Sequence, residues 1–227
     1  MDIDLARRQH RGYSATLRHV GIEVTELPPD DEHPDAVFVQ DRVCVVDGRA
    51  IAGPSAAPSR RGEAGPILEV LRGAYPVVEL EPPASLDWGD VLITEDALFV
   101  GLSERSNRAA VEALRRLLGP GRRVEGVPLP PDLLHLLSGC AYLGDRRLLT
   151  VASLAPFARS HGFEVVPVAE AEPLAANVLV HERWVVVPAG YPETASRLAA
   201  AGFRIQRIAV GEFEKRDGGV TCLSLLY

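Results

Sequence analysis

The sequence repeats one pattern of secondary structure four times, and this repetition limits the fold more than any other feature. Each copy has two short apolar runs that predict a hairpin, an amphipathic segment that predicts a helix, and a third apolar run that predicts a strand. The expected hairpins lie at 43–52, 90–101, 140–151 and 177–187, the helices near 62–72, 106–118, 153–161 and 192–201, and the last strands near 76–80, 123–127, 163–168 and 203–208. Units of roughly 40 to 50 residues are typical of propeller blades or solenoid repeats.

Both ends of the chain lie outside these four copies. A helix is expected at 4–20 and a strand at 22–27, while a last strand carries Cys222 after the turn Gly218-Gly219. Joined, the two ends form a fifth unit that closes a ring of repeats but is one strand short. We therefore expect a single α/β domain over residues 1–227, with an exposed edge or a mobile C-terminus beside Cys222.

The net charge of the sequence argues against nucleic acids and anionic membranes as binding partners. The net charge is −7 and the pI about 5.4, whereas nucleic acids and anionic membranes are normally bound by basic surfaces. No apolar run reaches the roughly 18 residues of a membrane span, and the acidic start at Met1-Asp2-Ile3-Asp4 is unlike a secretory leader. Three cysteines without metal-type spacing favour a reducing, cytoplasmic location. A small cationic ligand fits the charge balance.

Cysteine, histidine and carboxylate side chains suggest a nucleophilic mechanism. Cys222 follows two glycines at the start of an apolar run, where a thiol can be rigid and accessible. His135 lies among leucines, so its imidazole needs a partner or an open cavity; a buried structural histidine is an equal alternative. Asp87 and Asp90 lie at the start of the second hairpin, where they are either turn and cap residues or the carboxylates of the site.

A second acidic group flanks the apolar run at 36–39. We expect a strand at 36–39, so that Asp35 and Asp41 point to one side and would attract a cation. Arg60 and Arg105 lie at the starts of two predicted helices, and guanidinium groups can bind a carboxylate in bidentate fashion. Taken individually, each of these arginines is more often a solvated residue at a helix end.

Several of these segments together resemble the sequence blocks of dimethylarginine dimethylaminohydrolases. The matching segments are Asp-Ala-Val-Phe-Val-Gln-Asp, Leu-Asp-Trp-Gly-Asp-Val-Leu, Gly-Leu-Ser-Glu-Arg-Ser-Asn, Leu-His-Leu-Leu-Ser-Gly and Gly-Gly-Val-Thr-Cys-Leu-Ser, in this order. That family belongs to the penteins, which modify guanidino groups and fold as five-bladed, pseudo-symmetric α/β propellers. The resemblance implies hydrolysis of an Nω-methylated arginine to citrulline and a methylamine, through a covalent S-alkylthiouronium on the cysteine.

The resemblance also implies roles for individual residues. Cys222 would be the nucleophile, His135 the proton carrier and Asp87 the acid that partners the histidine. The implied substrate-binding residues are Asp35, Gln40, Asp41, Arg60, Arg105 and Arg216. No metal or organic cofactor is implied, the partner is a small guanidino compound, and a homodimer is compatible with the family.

Some positions depart from the family pattern. Trp88 replaces a glycine, Gln40 replaces an acid, and Arg216 takes a usually apolar position. The family's N-terminal strand, with a loop that carries an apolar residue over the substrate, has no counterpart in this sequence. Two alternatives therefore stay open: an arginine deiminase or other amidine hydrolase, and a catalytically weak protein that binds arginine analogues.

Overall fold

The computed structural model describes residues 1–227 and is an α/β structure. Its helices are α1 (Ile3–His19), α2 (Ala64–Leu71), α3 (Arg108–Leu118), α4 (Leu136–Gly139), α5 (Ala155–Ser160), α6 (Pro192–Ala200) and α7 (Gly211–Glu214). Its strands are β1 (Val43–Val46), β2 (Arg49–Ala52), β3 (Val77–Glu79), β4 (Val91–Ile93), β5 (Ala97–Leu102), β6 (Arg123–Pro128), β7 (Cys140–Gly144), β8 (Arg147–Thr150), β9 (Glu164–Pro167), β10 (Leu179–His181), β11 (Trp184–Pro188) and β12 (Arg204–Ile208). None of the helices is long and apolar enough to cross a membrane.

The twelve strands form four sheets that share one topology. In each sheet the first two strands pair as an antiparallel hairpin, and the third pairs in parallel with the second. A parallel pair needs a crossover connection, and α2, α3, α5 and α6 lie within the four crossovers. The fourfold repeat predicted from the sequence is confirmed.

Turn residues help to set the register of these hairpins. Between β1 and β2, Asp47 and Gly48 both have positive φ, of 46° and 72°. This is the signature of a two-residue turn whose twist matches that of the flanking strands. Val46 consequently pairs with Arg49, and the pairing continues to Val43 and Ala52.

Contacts divide the chain into two compact units, each with its own core. One unit comprises residues 27–136 and 222–227 and holds the first two sheets. Its larger apolar cluster surrounds Leu86 and Trp88, and a second cluster packs α2 against the first sheet. The other unit comprises residues 1–26 and 137–221, and its described apolar cluster joins the third and fourth sheets. The predicted single domain stays a prediction.

Three predicted strands are wrong. Residues 36–39 form no strand, because the amides of Phe38, Asp41 and Arg42 bond to carbonyls three residues back and so build turns. Residues 22–27 have no ladder partner and stay irregular. The segment around Cys222 contains a 3-10 turn, Thr221–Leu223, in place of a strand. The expected strands of the fifth unit are therefore not formed.

Candidate active site

A buried group of acids surrounds His135 in the unit that contains residues 27–136. One ligand-type atom from each of Asp41, Asp87 and His135 lies within 4.8 Å of the other two. Asp87 is fully buried, and Asp41 and His135 are 4% and 8% exposed. An imidazole and two carboxylates so close in a dry environment interact strongly.

Asp41, Asp87 and His135 are far apart in sequence but occupy similar positions in successive repeats. Asp41 ends the 3-10 turn Val39–Asp41, which leads into β1. Asp87 immediately precedes the 3-10 turn Trp88–Asp90, which leads into β4. His135 similarly lies immediately before α4, which leads into β7. Each residue thus occurs near the entry to the first strand of a repeat.

Gly89 is packed against two of these side chains. A Cβ atom at this position would lie 2.7 Å from Asp41 Oδ1 and 3.2 Å from His135 Cγ. Because a real Cβ is essentially never closer than about 3 Å to another heavy atom, only glycine allows this approach. Trp88, the residue before it, is instead packed in the apolar core.

Arg42 is the principal partner of Asp87. Its Nη2 contacts Asp87 Oδ1 and donates to the carbonyl oxygens of Asp41 at 2.8 Å and Leu86 at 3.3 Å. The side chain of Arg42 is 2% exposed. Burial raises the pKa of Asp87 and lowers the pKa of Arg42, while their mutual attraction opposes both shifts.

Arg60 binds a different pair of acids. It donates to Asp41 Oδ2 at 2.6 Å and to Glu63 Oε2 at 2.8 Å, and its Nη1 lies 3.9 Å from Asp87 Oδ2. Burial lowers the pKa of Arg60, but Asp41 and Glu63 outweigh burial and raise it above its ordinary value. Three carboxylates, those of Asp41, Glu63 and Asp87, therefore lie beside the two buried guanidinium groups.

His135 lies beside Asp90. Its Nδ1 is 3.4 Å from Asp90 Oδ2, but the two atoms form no hydrogen bond. Burial lowers the pKa of His135, but Asp90, Asp41 and Asp87 outweigh burial and raise it above its ordinary value. The raised pKa favours the imidazolium form, which can donate a proton.

Four buried oxygens near these groups accept no hydrogen bond. They are Gln40 Oε1, Asp41 Oδ1, Glu63 Oε1 and Asp87 Oδ2. Buried acceptors normally have a donor, because an unsatisfied one costs about 1–3 kcal/mol. Such a set can receive the N–H groups of a planar cation.

Cys222 belongs to the same unit as His135 and the acids. It is half-buried in the 3-10 turn Thr221–Leu223 and forms no disulfide. Its role as nucleophile stays a prediction.

The other predicted site residues are distributed as follows. Asp35 is half-buried, and its carbonyl oxygen accepts a 3.4 Å bond from Arg60. Arg105 is half-buried in a loop whose backbone is tied to Ser85 and Ser103. Arg216 is exposed after α7 and belongs to the other unit. Their roles also stay predictions.

Sequence reasoning missed Arg42 and Glu63 and left Asp90 without a specific partner. A signal for Arg42 was present, since a charged residue directly before the apolar run Val43–Val46 must find a counter-charge if it is buried. Glu63 follows Arg60 by three residues, a spacing that suits an ion pair within a turn. The partner of Asp90 is 45 residues away in sequence and gave no local signal.

Comparisons with known proteins show the family of the chain. A family model described as "N,N dimethylarginine dimethylhydrolase, eukaryotic" matches residues 2–123. The chain is 34% identical to the N(G),N(G)-dimethylarginine dimethylaminohydrolase of Pseudomonas aeruginosa over 100% of this chain and 90% of that protein. It is 37% identical to the protein of the same name in Streptomyces coelicolor, over 99% and 87% of the two chains.

Solved structures extend the likeness to the fold. The Pseudomonas aeruginosa enzyme, as a Cys-to-Ser variant complexed with citrulline, matches with 33% identity and a TM-score of 0.95, over 100% of this chain and 89% of that one. The N-terminal domain of the arginine dihydrolase ArgZ from cyanobacteria matches in fold alone, with 20% identity and a TM-score of 0.88, over 98% and 86% of the two chains. These likenesses confirm the predicted α/β pentein fold class. By sequence and by fold, the chain belongs to the dimethylarginine dimethylaminohydrolase family.

Proposed function

We propose that this protein hydrolyses an Nω-methylated arginine, either asymmetric dimethylarginine or monomethylarginine, to citrulline and dimethylamine or methylamine. The observation that carries the proposal is the set of buried carboxylate oxygens beside His135, in the unit that also contains Cys222. Family membership supports the same reaction, since the named relatives are dimethylarginine dimethylaminohydrolases.

The charge balance favours a cationic substrate. Asp41, Glu63, Asp87 and Asp90 carry up to four negative charges, and the two buried arginines compensate two of them. Protonation of His135 compensates a third. A guanidinium ion brings the last positive charge and offers N–H donors to Asp41 Oδ1 and Asp87 Oδ2, which accept no other hydrogen bond.

In the proposed first half-reaction, the Cys222 thiolate adds to the guanidinium carbon. The positive charges of the substrate and of the imidazolium favour the thiolate over the thiol. The carbon–nitrogen bond to the methylated amine then breaks, and the departing amine takes the proton of His135. An S-alkylthiouronium on Cys222 remains.

In the second half-reaction, neutral His135 removes a proton from water as the oxygen adds to the thiouronium carbon. The carbon–sulfur bond then breaks and the proton of the added hydroxyl passes to solvent, which restores the thiolate and yields citrulline. The histidine ends protonated, so it is ready for another cycle. These steps need no metal and no organic cofactor.

The amino-acid end of the substrate requires a cation for its carboxylate. Arg105 is our candidate, because it is half-buried and a guanidinium suits bidentate binding. Arg60 is less suited to this contact, since it already pairs with Asp41 and Glu63. Asp35, Gln40 and Arg216 complete the proposed binding set.

We place the activity in the cytoplasm, where cysteines without disulfides remain reduced, and regard a homodimer as compatible with it.

The test is an assay for citrulline with asymmetric dimethylarginine, monomethylarginine and arginine as separate substrates. We expect citrulline from at least one methylated arginine and none from the Cys222→Ser variant. Citrulline and ammonia from arginine alone would instead identify a deiminase. Binding of methylarginine without any citrulline would identify a binding protein, and either result overturns the proposal.

A further inference from the structure

Asn177 lies in the fourth repeat where Asp41, Asp87 and His135 lie in the first three. It directly follows the 3-10 turn Pro173–Ala176, which leads into β10, the first strand of that repeat. The residue is 7% exposed, so its amide group needs hydrogen-bond partners within the protein. Each entry position of the first three repeats carries a residue of the proposed site, whereas Asn177 has no role in the mechanism described above.

The side chain of Asn177 binds two separate segments of the chain. Its Nδ2 donates to the carbonyl oxygen of Leu137 at 3.0 Å and to the hydroxyl oxygen of Thr221 at 2.9 Å. Its Oδ1 accepts a 2.9 Å hydrogen bond from the amide of Thr221. Because a backbone N–H only donates and a carbonyl oxygen only accepts, these partners fix the orientation of the side-chain amide. Both of its N–H groups and its oxygen are therefore used.

Both segments continue into the proposed catalytic residues. Leu137 is the second residue after His135, and Thr221 directly precedes Cys222. Asn177, Leu137 and Thr221 belong to one compact unit, and the chain leaves this unit beside Leu137 and again beside Thr221. The three hydrogen bonds therefore hold together the two backbone points that lead directly to the imidazole and to the thiol.

The backbone before Cys222 is shaped to receive this amide. A Cβ atom on Gly219 would lie 2.2 Å from Asn177 Oδ1, so only glycine allows the approach. The carbonyl oxygen of Val220, which is fully buried, accepts a 2.8 Å hydrogen bond from the hydroxyl of Tyr13. The residues that precede Cys222 are thus held by two side chains, as the precise placement of a reactive group requires.

We propose that Asn177 is a positioning residue for Cys222 and His135. It acts through the backbone at Thr221 and Leu137, and so sets the separation of the thiol and the imidazole. This inference deepens the proposed hydrolysis and rests on it for its kinetic part. Nucleophilic attack and proton transfer both need an accurate separation, and a misplacement of about 1 Å can reduce a rate by about 10²-fold.

The main test variant is Asn177→Ala in the full-length chain, which removes all three hydrogen bonds and adds no charge. We expect kcat for asymmetric dimethylarginine to fall by roughly 10²-fold, with KM changed by less than about threefold, because the substitution disturbs the chemical steps and not substrate binding. Crystal structures of wild type and variant give a second measurement, the separation of Cys222 Sγ and His135 Nε2. We expect this separation to differ by about 1 Å between the two proteins.

Glu172→Gln is the matched control for a general loss of stability. Glu172 is buried in the same unit as Asn177, and its carboxylate accepts hydrogen bonds from the amides of Glu193 and Thr194 at 3.0 and 2.7 Å. The substitution weakens these bonds, so stability in urea unfolding should fall in both variants. The fall in kcat should occur only in Asn177→Ala, and an equal fall in Glu172→Gln would overturn the inference.

Asn177→Asp replaces the main variant if Asn177→Ala does not fold. It keeps the volume of the side chain and an acceptor for the Thr221 amide, but a carboxylate has no donor for the Leu137 carbonyl. We expect the same loss of kcat and the same change in separation. Wild-type kcat, or an unchanged separation of sulfur and nitrogen, in the Asn177 variant overturns the inference. Because the separation is measured without turnover, an inactive wild-type protein would reject the proposed hydrolysis alone.

Discussion

Replacing Arg42 with methionine tests the ion pair on which the arrangement of the site depends. The variant Arg42→Met keeps most of the apolar volume but leaves the fully buried Asp87 without its main counter-charge, with Arg60 3.9 Å away as the remaining cation. Breaking a buried pair by removing one partner costs about 3–5 kcal/mol. For a chain of this length, that corresponds to a decrease in Tm of about 6–20 °C, at about 2–4 °C per kcal/mol.

The assay must follow the unit that contains the pair. Trp88 is buried in that unit, whereas the other tryptophan, Trp184, belongs to the second unit. Urea unfolding followed by Trp88 fluorescence in a Trp184→Phe background therefore reports the relevant free energy of unfolding. The matched control is Arg123→Met, whose 3.7 Å pair with Asp96 is about half exposed and should contribute less than about 1 kcal/mol.

The loss of stability in Arg42→Met should depend on pH. Burial already raises the pKa of Asp87, and removal of Arg42 removes the attraction that opposes this shift, so the pKa rises further. A carboxyl group whose pKa is higher in the folded state than in the unfolded one favours folding at low pH and opposes it as pH rises through the folded value. The defect of Arg42→Met should consequently shrink as the pH is lowered from 8 towards 5.

A double variant tests whether the unpaired charge of Asp87 causes the loss of stability. In Arg42→Met with Asp87→Asn, no charge is left unpaired, so at least half of the lost stability should return. A loss below about 1 kcal/mol in Arg42→Met, or equal losses at pH 5 and pH 8, would refute the ion-pair reasoning.

Three further outcomes are expected. Gly89→Ala places a Cβ 2.7 Å from Asp41 Oδ1, so kcat/KM should fall by roughly 10²-fold in steady-state kinetics, and a change under about twofold would contradict the site geometry. Gly219→Ala places a Cβ 2.2 Å from Asn177 Oδ1, which accepts a hydrogen bond from the amide of Thr221, the residue before Cys222. We expect the free energy of unfolding in urea to fall by about 1–3 kcal/mol, and wild-type stability would count against this contact. The hydrogen bond to Asp30 raises the pKa of His33, so its contribution is complete below about pH 6.5 and is lost as pH rises through the folded value; unfolding measured from pH 5 to 8 should show this slope in wild type and a flatter one in His33→Gln.

The four sheets were predictable because local patterns encode them. Each hairpin strand is a short apolar run, and the turn Asp47-Gly48 fixes its own conformation. The error at residues 36–39 shows the limit of this reasoning. An apolar run becomes a strand only when a neighbour completes its ladder, and here hydrogen bonds three residues apart satisfy the backbone instead.

The site was only partly predictable for a related reason. Residue types and spacing singled out Asp41, Asp87 and His135, and these side chains do converge. The sequence could not say which acid pairs with which cation, because Arg42 and Asp87 are 45 residues apart and their pairing depends on the packing of two repeats.

In the proposed mechanism, Cys222 attacks the guanidinium carbon of a methylated arginine. Intact-protein mass spectrometry after rapid acid quenching tests it directly, during turnover of asymmetric dimethylarginine. We expect a covalent adduct equal in mass to the substrate less dimethylamine, located on Cys222 by peptide mapping and absent from Cys222→Ser. Turnover to citrulline in the Cys222→Ser variant, or an adduct on Cys44 or Cys140 instead, would contradict it.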